Sequence, residues 1–494
     1  MKKFLNNLLF IKHIRLTHAD GLGILPLIYK KLQLNKGNIM TILDNIKNVY
    51  FVGIGGIGMS ALARYFKVKG YNVAGYDRTE TNLTEQMAKN EGIYINYIDE
   101  VENIPEEYRQ LSNTLIVYTP AIPNDNKQLN YFIENGFKPH KRSEVLGLLS
   151  QAGKALCVAG THGKTTTSTL LAWLLHNSKV KCSAFLGGIS ENLKTNLLVD
   201  TTSEYIVIEA DEFDRSFLTL NPEKAIITSL DADHMDIYGS RESVVHAFED
   251  FAERIVDGGK LFIKKGLKLK RRQPDGFYAL NENADFYSNN LRLNNGLYTF
   301  DYHSKNCDII DLELGIPGMV NIENATAAIT IALDCGVTPE EIRKALPLFK
   351  GVHRRFNIIS KDEDLIYIDD YAHHPKEIEA TLNSVKAIWP ERYLTVIFQP
   401  HLYSRTKDFA PEFAKSLSLA NEVVLMNIYP ARENPIPNVT SDIILNKVTV
   451  PASLKSKENI IQTIDTKKGI VITMGAGDIS QMSSKIYEKI KKRK

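Results

Sequence analysis

The stretch Gly160-Thr161-His162-Gly163-Lys164-Thr165-Thr166-Thr167 combines two glycines, a lysine and a run of hydroxyls at a spacing suited to phosphate. The apolar run Ala155 to Ala159 before it reads as a buried strand, and Ser168 to His176 after it as an apolar helix. A glycine turn between strand and helix aims backbone N–H groups and the positive end of the helix dipole at an anion. Lys164 adds a point charge for the outer phosphates, and the Thr165 hydroxyl can hold Mg²⁺. The pattern predicts a P-loop for a nucleoside triphosphate. One feature departs from the generic G-x-x-x-x-G-K-[ST] motif: its first glycine would fall at Val158.

A second glycine loop lies upstream. The strand-like Asn48 to Val52 runs into Gly53-Ile54-Gly55-Gly56-Ile57-Gly58, then a helical stretch from Met59 to Lys69 and a second strand, Asn72 to Tyr76, ending at Asp77. In this fingerprint Gly53 serves the turn, Gly55 the close approach of a pyrophosphate and Gly58 helix packing, while Asp77 lies where an acid meets a ribose hydroxyl. Downstream of the P-loop, the strand Glu204 to Ala210 delivers Glu209, followed by Asp211-Glu212-Phe213-Asp214. Carboxylates at the end of a parallel strand beside a P-loop are placed to hold Mg²⁺. His234, in Asp233-His234-Met235-Asp236, reads as an isolated loop histidine that could also be a metal ligand. Lys264 to Arg272 reads as a solvated surface connection. Strands Leu365 to Ile368, Leu394 to Phe398, Glu422 to Ile428 and Ile470 to Thr473 each end in polar residues, the edge where open parallel sheets bind ligands.

These elements require three α/β units, which fits a chain of 494 residues, too long for one core. The boundaries read as 46–150, 151–349 and 350–494, with 1–45 as a leader or extension. Residues 1–39 carry seven Lys/Arg against one acid and have no signal-peptide pattern; no function is assigned to them. Hydrophobic and charged contents of 44% and 24% are those of an ordinary soluble protein. A net charge of +2 gives no argument for a nucleic-acid or anionic-membrane partner. Four scattered cysteines and the lack of a long apolar run predict a cytoplasmic protein with no stable membrane insertion. A monomer or weak homo-oligomer is expected, though neither feature decides it.

Two anion cradles and a basic, histidine-bearing third unit suggest ATP-driven condensation. Over about residues 46–490 the chain resembles the Mur ligases of peptidoglycan synthesis. The resemblance rests on Gly53 to Ser60, Gly160 to Thr167, Glu209 to Asp214 with Ser216-Phe217-Leu218, and Asp233 to Asp236, and continues through Asn321 to Ala328, Asp369 to Pro375, Phe398 to His401 and Gly475 to Asp478. It implies a Rossmann-like UDP-binding domain, a central P-loop ATPase domain and a C-terminal Rossmann-like domain, and looks closest to members that join L-alanine to UDP-N-acetylmuramate through an acyl phosphate.

By that resemblance Gly53, Gly55, Gly56 and Gly58, with Asp77, would serve the UDP-sugar. Gly160, Thr161, His162, Gly163, Lys164, Thr165 and Thr166 would cradle ATP. Thr165 and Glu209 would share Mg²⁺, with His234 near a second ion. Asn324 would meet the adenine, Arg355 the phosphates and Asp370 the ribose, while His373 and Arg405 would face the amino acid. His373 is preferred to His374 as the proton acceptor. Many relatives carry an arginine where this chain has Leu402, so the amino-acid carboxylate would lean on Arg405. The absence of lysine from Ser243 to Glu253 fits an alanine-adding member rather than later ones that use a carbamylated lysine. The rivals are a ligase that recycles an intact tripeptide and, more remotely, an NAD-dependent oxidoreductase built on Gly53 to Gly58.

Overall fold

Strand Asn48–Val52 (β1) pairs in parallel with Asn72–Tyr76 (β2) on one side and Thr114–Tyr118 on the other, and helix Ile57–Val68 (α1) follows β1 directly. The computed structural model describes residues 43, 45–231, 235–431, 433–463 and 468–492; residues 1–42 of the leader, and His234, lie outside them. Every residue of β1 is buried, as expected of a parallel strand covered on both faces. The Gly53–Gly58 turn thus leaves the middle of what is, among the described residues, a five-stranded parallel sheet.

Helix Arg142–Ala152 (α2) leads into strand Lys154–Ala159 (β3), an interior strand of the second sheet, which has ten strands among the described residues. Strands Tyr205–Glu209 (β4) and Lys224–Ile227 (β5) flank β3, both parallel, with Val158 opposite Glu209 and Ala159 opposite Ile227. This register brings Glu209 to one side of the P-loop and the segment after β5 to the other. Strand Lys260–Lys264 (β6) extends the sheet beside β5.

Helix Lys164–His176 (α3) opens with Thr165, Thr166, Thr167, Ser168 and Thr169, residues of modest helix propensity. Tertiary burial overrides that preference: Leu170, Leu171, Leu174 and Leu175 are at most 1% exposed and pack in one core with Ile322, Ala325, Ala328 and Ile329 of helix Met319–Asp334 (α4). Burying each such leucine contributes roughly 1.5–3 kcal/mol.

In the third sheet, strands Leu365–Asp370 (β7), Leu394–Phe398 (β8) and Gly469–Met474 (β9) run parallel with β9 between the other two. Separate apolar clusters cover its two faces. Helix Pro375–Ile388 (α5) follows β7; Pro375 stands at its first position, His374 caps it and Glu377 closes the capping box. The described residues from 47 to 492 pack as one unit.

Candidate active site

The P-loop has the backbone its glycines permit. Gly160 and Gly163 take φ of +132° and +82°, and a Cβ would fall 2.0 Å from Thr228 Oγ1 at the first and 2.8 Å from Asn324 Oδ1 at the second. Thr161 is committed to the wall behind the loop: its hydroxyl lies 2.9 Å from Ser229 Oγ and accepts from the Asp231 N–H at 3.1 Å. Lys164 Nζ donates to Gly160 O at 2.7 Å and pairs with Glu212, also at 2.7 Å. Burial pushes the Lys164 ammonium down, but Glu212, Asp211 and Glu209 outweigh it and hold it above its ordinary range.

Glu209 takes the place that β-sheet register predicts. Thr165 donates to its Oε1 at 3.0 Å, while Ser168 Oγ at 3.4 Å and the Gly187 N–H at 3.0 Å donate to Oε2. Burial pushes the Glu209 and Glu212 carboxyls up, against the pull of Lys164. One lysine among Glu209, Asp211 and Glu212 leaves excess negative charge, and a carboxylate beside a hydroxyl is a hard-oxygen pair, so these residues fit Mg²⁺. Among the described residues no three His, Cys, Asp or Glu side chains converge as a metal cluster. Glu209 and Thr165 therefore constitute the described part of the expected metal set.

Two cavities reach this region, one at Glu209 and the other at the P-loop itself. One, of about 340 Å³, runs from Gly56 and Gly58 past Arg142 and Ser143 to Glu209 and Asp211. The other, of about 260 Å³, is bounded by His162, Gly163, Thr166, Asn324, Arg355 and Asp370. The predicted phosphate, adenine and ribose residues thus come together across the second and third sheets. Asn324 is oriented by its neighbours, accepting from Thr167 Oγ1 at 3.2 Å and donating to Asn321 Oδ1 at 3.3 Å. The Arg355 guanidinium lies 4.8 Å from the Tyr371 ring.

Asp77 has a structural part that its position after a strand does not reveal. Its Oδ2 accepts from the Gly55 N–H at 2.7 Å and its Oδ1 from the Thr79 N–H at 3.0 Å, so the carboxylate also braces the glycine turn. A Cβ on Gly55 would fall 2.9 Å from Asp77 Oδ2, so here the glycine makes room for the aspartate. Gly58 likewise makes room for Arg142, whose Nη1 would lie 2.6 Å from a Cβ. Lys264 departs from expectation. It ends β6, reaches Glu323 of α4 at 2.8 Å and bounds the smaller cavity, so the surface connection begins only after it.

In the third unit, Asp370 is buried with Oδ1 accepting from the Ala372 N–H at 2.9 Å and Oδ2 from Thr381 Oγ1 at 2.8 Å. Burial pushes its carboxyl up to about 6, against those two hydrogen bonds. The folded state therefore holds this proton more tightly than the unfolded chain, whose value is near 3.8. Stability from this group is fully present below about pH 4 and is lost as pH rises through about 6. We expect Asp370→Asn to melt higher than the parent protein at pH 8, with the gap closing by pH 4, as measured by calorimetric melting across that range.

His374 is the cap of α5, accepting at Nδ1 from the Lys376 N–H at 3.3 Å, while His373 Nδ1 lies 3.0 Å from the Tyr371 carbonyl oxygen. Arg405 is buried, with Nη1 3.4 Å from His401 Nδ1, and the His401 ring lies 6.1 Å from His373. Leu402 is buried with φ of +71°, so this position does not present a side chain to the cleft surface.

Three family models match consecutive stretches: the catalytic domain of the Mur ligase family over residues 48–154, the Mur ligase middle domain over 158–332 and the glutamate ligase domain over 354–477. A UDP-N-acetylmuramate–L-alanine ligase of Phocaeicola vulgatus is 48% identical over 457 residues, covering 91% of this chain and all of the relative. The chain belongs to the Mur ligase family. A second relative of the same name, from Parabacteroides distasonis, is 49% identical over 90% of this chain and 98% of its own. Among solved structures, a UDP-N-acetylmuramate–alanine ligase from Thermotoga maritima superposes with a TM-score of 0.75 at 27% identity, covering 90% of this chain and all of that one. A murein peptide ligase from Psychrobacter arcticus shares the fold, with a TM-score of 0.62 at 22% identity over 90% of this chain and 98% of that one.

Three residues of this Mur ligase stand out only in the structure. Arg142 closes the run Lys138 to Arg142 and lies over the first glycine loop. Glu212 sits within Glu209 to Asp214 yet faces Lys164. Glu377 gathers His162, His373 and Arg355 around one carboxylate. The only sequence signal for Glu377 is its position three residues after a cap followed by proline, a helix-start signature.

Proposed function

We propose that this chain is an ATP-dependent ligase that joins L-alanine to the carboxylate of UDP-N-acetylmuramate in peptidoglycan precursor synthesis. The observation that carries the reading is that Glu209 lines one cavity, the P-loop residues His162, Gly163 and Thr166 line another, and the Thr165–Glu209 hydrogen bond joins the two walls. One reaches the first glycine loop and Arg142, and the other holds Asn324, Arg355 and Asp370. A sugar-borne acid in the first can then meet the γ-phosphate of ATP from the second.

The reaction is phosphorylation of the muramoyl carboxylate to an acyl phosphate, attack of the alanine amine on that carbonyl, and collapse to amide and phosphate. Lys164 and Arg355 supply fixed positive charge where two anions must approach, and desolvation makes that charge effective. Mg²⁺, held by Thr165 and Glu209 with His234 near a second ion, would further neutralise the phosphates. The Asp370 carboxylate offers an acceptor for the ribose and Asn324 polar atoms for the adenine. His373 takes the proton of the attacking amine, and Arg405 with His401 lies behind it on the amino-acid side. Burial of the acyl phosphate between the second and third units keeps water from it.

The test is phosphate release from ATP with UDP-N-acetylmuramate and L-alanine together, expected only when both are present. Release with an intact tripeptide and none with L-alanine would favour the recycling activity. Binding of NAD without nucleotide-stimulated phosphate release would favour an oxidoreductase. No described helix is long and apolar enough to cross a membrane. We place the reaction in the cytoplasm, where ATP is available, in a monomer or weak homo-oligomer with no nucleic-acid partner.

Arg142 belongs in this reading as a cation for the UDP pyrophosphate. Arg142→Ala is expected to raise KM for the UDP-sugar about tenfold or more, the scale of one lost charge-assisted hydrogen bond. KM for ATP stays within about twofold in the same steady-state assay.

A further inference from the structure

We infer that Glu377 is a positioning residue that ties the nucleotide loop to the histidine receiving the amine proton. The inference rests on the ligase reading above. Its Oε2 accepts from the His373 N–H at 3.0 Å and the His374 N–H at 3.3 Å, which an ordinary helix cap explains. A cap does not explain the rest. Oε1 lies 3.3 Å from His162 Nδ1, on the P-loop of a different sheet and 215 residues away, and 3.9 Å from Arg355 Nη1. Oε2 also lies 3.4 Å from His373 Nδ1. The side chain is 16% exposed. Burial pushes its carboxyl up, but His373, His162 and Arg355 outweigh that and hold it well below the usual carboxylate range.

The same helix end clasps His162 from other directions. The His374 ring lies 4.9 Å from the His162 ring, and Asp231 Oδ2 lies 3.6 Å from His162 Nε2. Lys376 pairs with that Asp231 at 2.5 Å, although it is largely exposed and its pair is worth little. His162 thus sits between a carboxylate of its own sheet and one of the third.

The geometry also sets the state of His373. Its Nδ1 is 3.0 Å from the Tyr371 carbonyl oxygen and 3.4 Å from the Glu377 carboxylate, both acceptors only. Neutral His373 therefore carries its proton on Nδ1, and its lone pair is on Nε2, the nitrogen that can take the amine proton. A base oriented by a third group follows the logic of other activated pairs. The nucleotide loop, through His162, and the base, through His373, share one carboxylate, so a loop set for triphosphate and a base set for the amine are coupled.

The test uses full-length protein with steady-state phosphate release and melting. Glu377→Gln keeps the cap acceptor and the side-chain size but removes the charge facing His373, whose other neighbours include Tyr371, His401 with Arg405 behind it, and Arg355 over Tyr371. We expect kcat to fall about tenfold or more while KM for the UDP-sugar stays within twofold. The acid limb of the kcat profile should move to lower pH by about one unit, because an anion that favours the imidazolium is gone. His162→Asn changes the other end without touching α5, and the double variant should lose little more than the worse single one. Losses that multiply fully in the double variant, or a Glu377→Gln enzyme with unchanged kcat and acid limb, would overturn the inference. A fall in melting temperature with an unmoved acid limb would also overturn it, since that is what a cap alone predicts. If the parent protein releases no phosphate with L-alanine, the ligase reading fails instead, and the two failures are distinguishable.

Discussion

Lys164→Ala is expected to abolish turnover while leaving UDP-sugar affinity unchanged. Lys164 reaches Gly160 O and Glu212 and feels the charges of Glu209 and Asp211, which line one cavity, while its neighbour Gly163 lines the other. A muramoyl carboxylate and a triphosphate repel each other, and a buried ammonium offsets that repulsion without the reorganisation water would need. Loss of one preorganised contact of this kind costs on the order of 10²–10³ in rate, and the check is phosphate release beside calorimetric titration of the UDP-sugar. The substitution also strips Glu212 of its partner. The Glu212 carboxyl, already raised by burial against Lys164, rises further, so the variant keeps its stability below the unfolded value of 4.5 and loses it as pH increases. Its melting deficit relative to the parent should therefore be larger at pH 8 than at pH 5. Near-normal turnover in Lys164→Ala would remove the P-loop assignment.

Much of this site is legible in the sequence because its parts are local. Asn48–Val52, Asn72–Tyr76 and Leu394–Phe398 form strands at the expected residues, since short apolar runs bounded by turn formers leave little choice of register. β7 runs two residues beyond its apolar run because Asp369 and Asp370 are buried with partners: Thr473 and Arg354 for the first, Ala372 and Thr381 for the second. Periodicity cannot see those partners. Asp77 was readable as an acid after a strand, but the direction of its side chain depends on the unsatisfied Gly55 N–H, a backbone group no residue name reveals. Glu377 was hidden for a stronger reason. Its meaning depends on His162 arriving from another sheet, and a single sequence carries no signal for which loops will meet.

Glu209→Gln and Gly187→Ala are expected to fail in related ways, and their comparison tests why Glu209 matters. The glutamine keeps the shape but removes the charge that, with Thr165, would hold Mg²⁺, and turnover should fall on the order of 10²–10³. Gly187 touches the same carboxylate from the opposite side. Its N–H donates to Oε2, and a Cβ there would fall 2.2 Å from Oε1 and 2.4 Å from Cδ and Oε2. Because Thr165 and Ser168 also hold that carboxylate, it cannot swing away without giving up their hydrogen bonds. The alanine therefore displaces a charge that the glutamine deletes, and turnover should fall about tenfold or more at ordinary magnesium concentrations. Since the displaced carboxylate remains an anion, raising magnesium should recover much of the Gly187→Ala activity and little of the Glu209→Gln activity. Measuring kcat against magnesium for both variants reads this directly. Equal recovery would mean that the charge of Glu209 is not what holds the ion, and normal turnover in Gly187→Ala would mean that its position is not what matters.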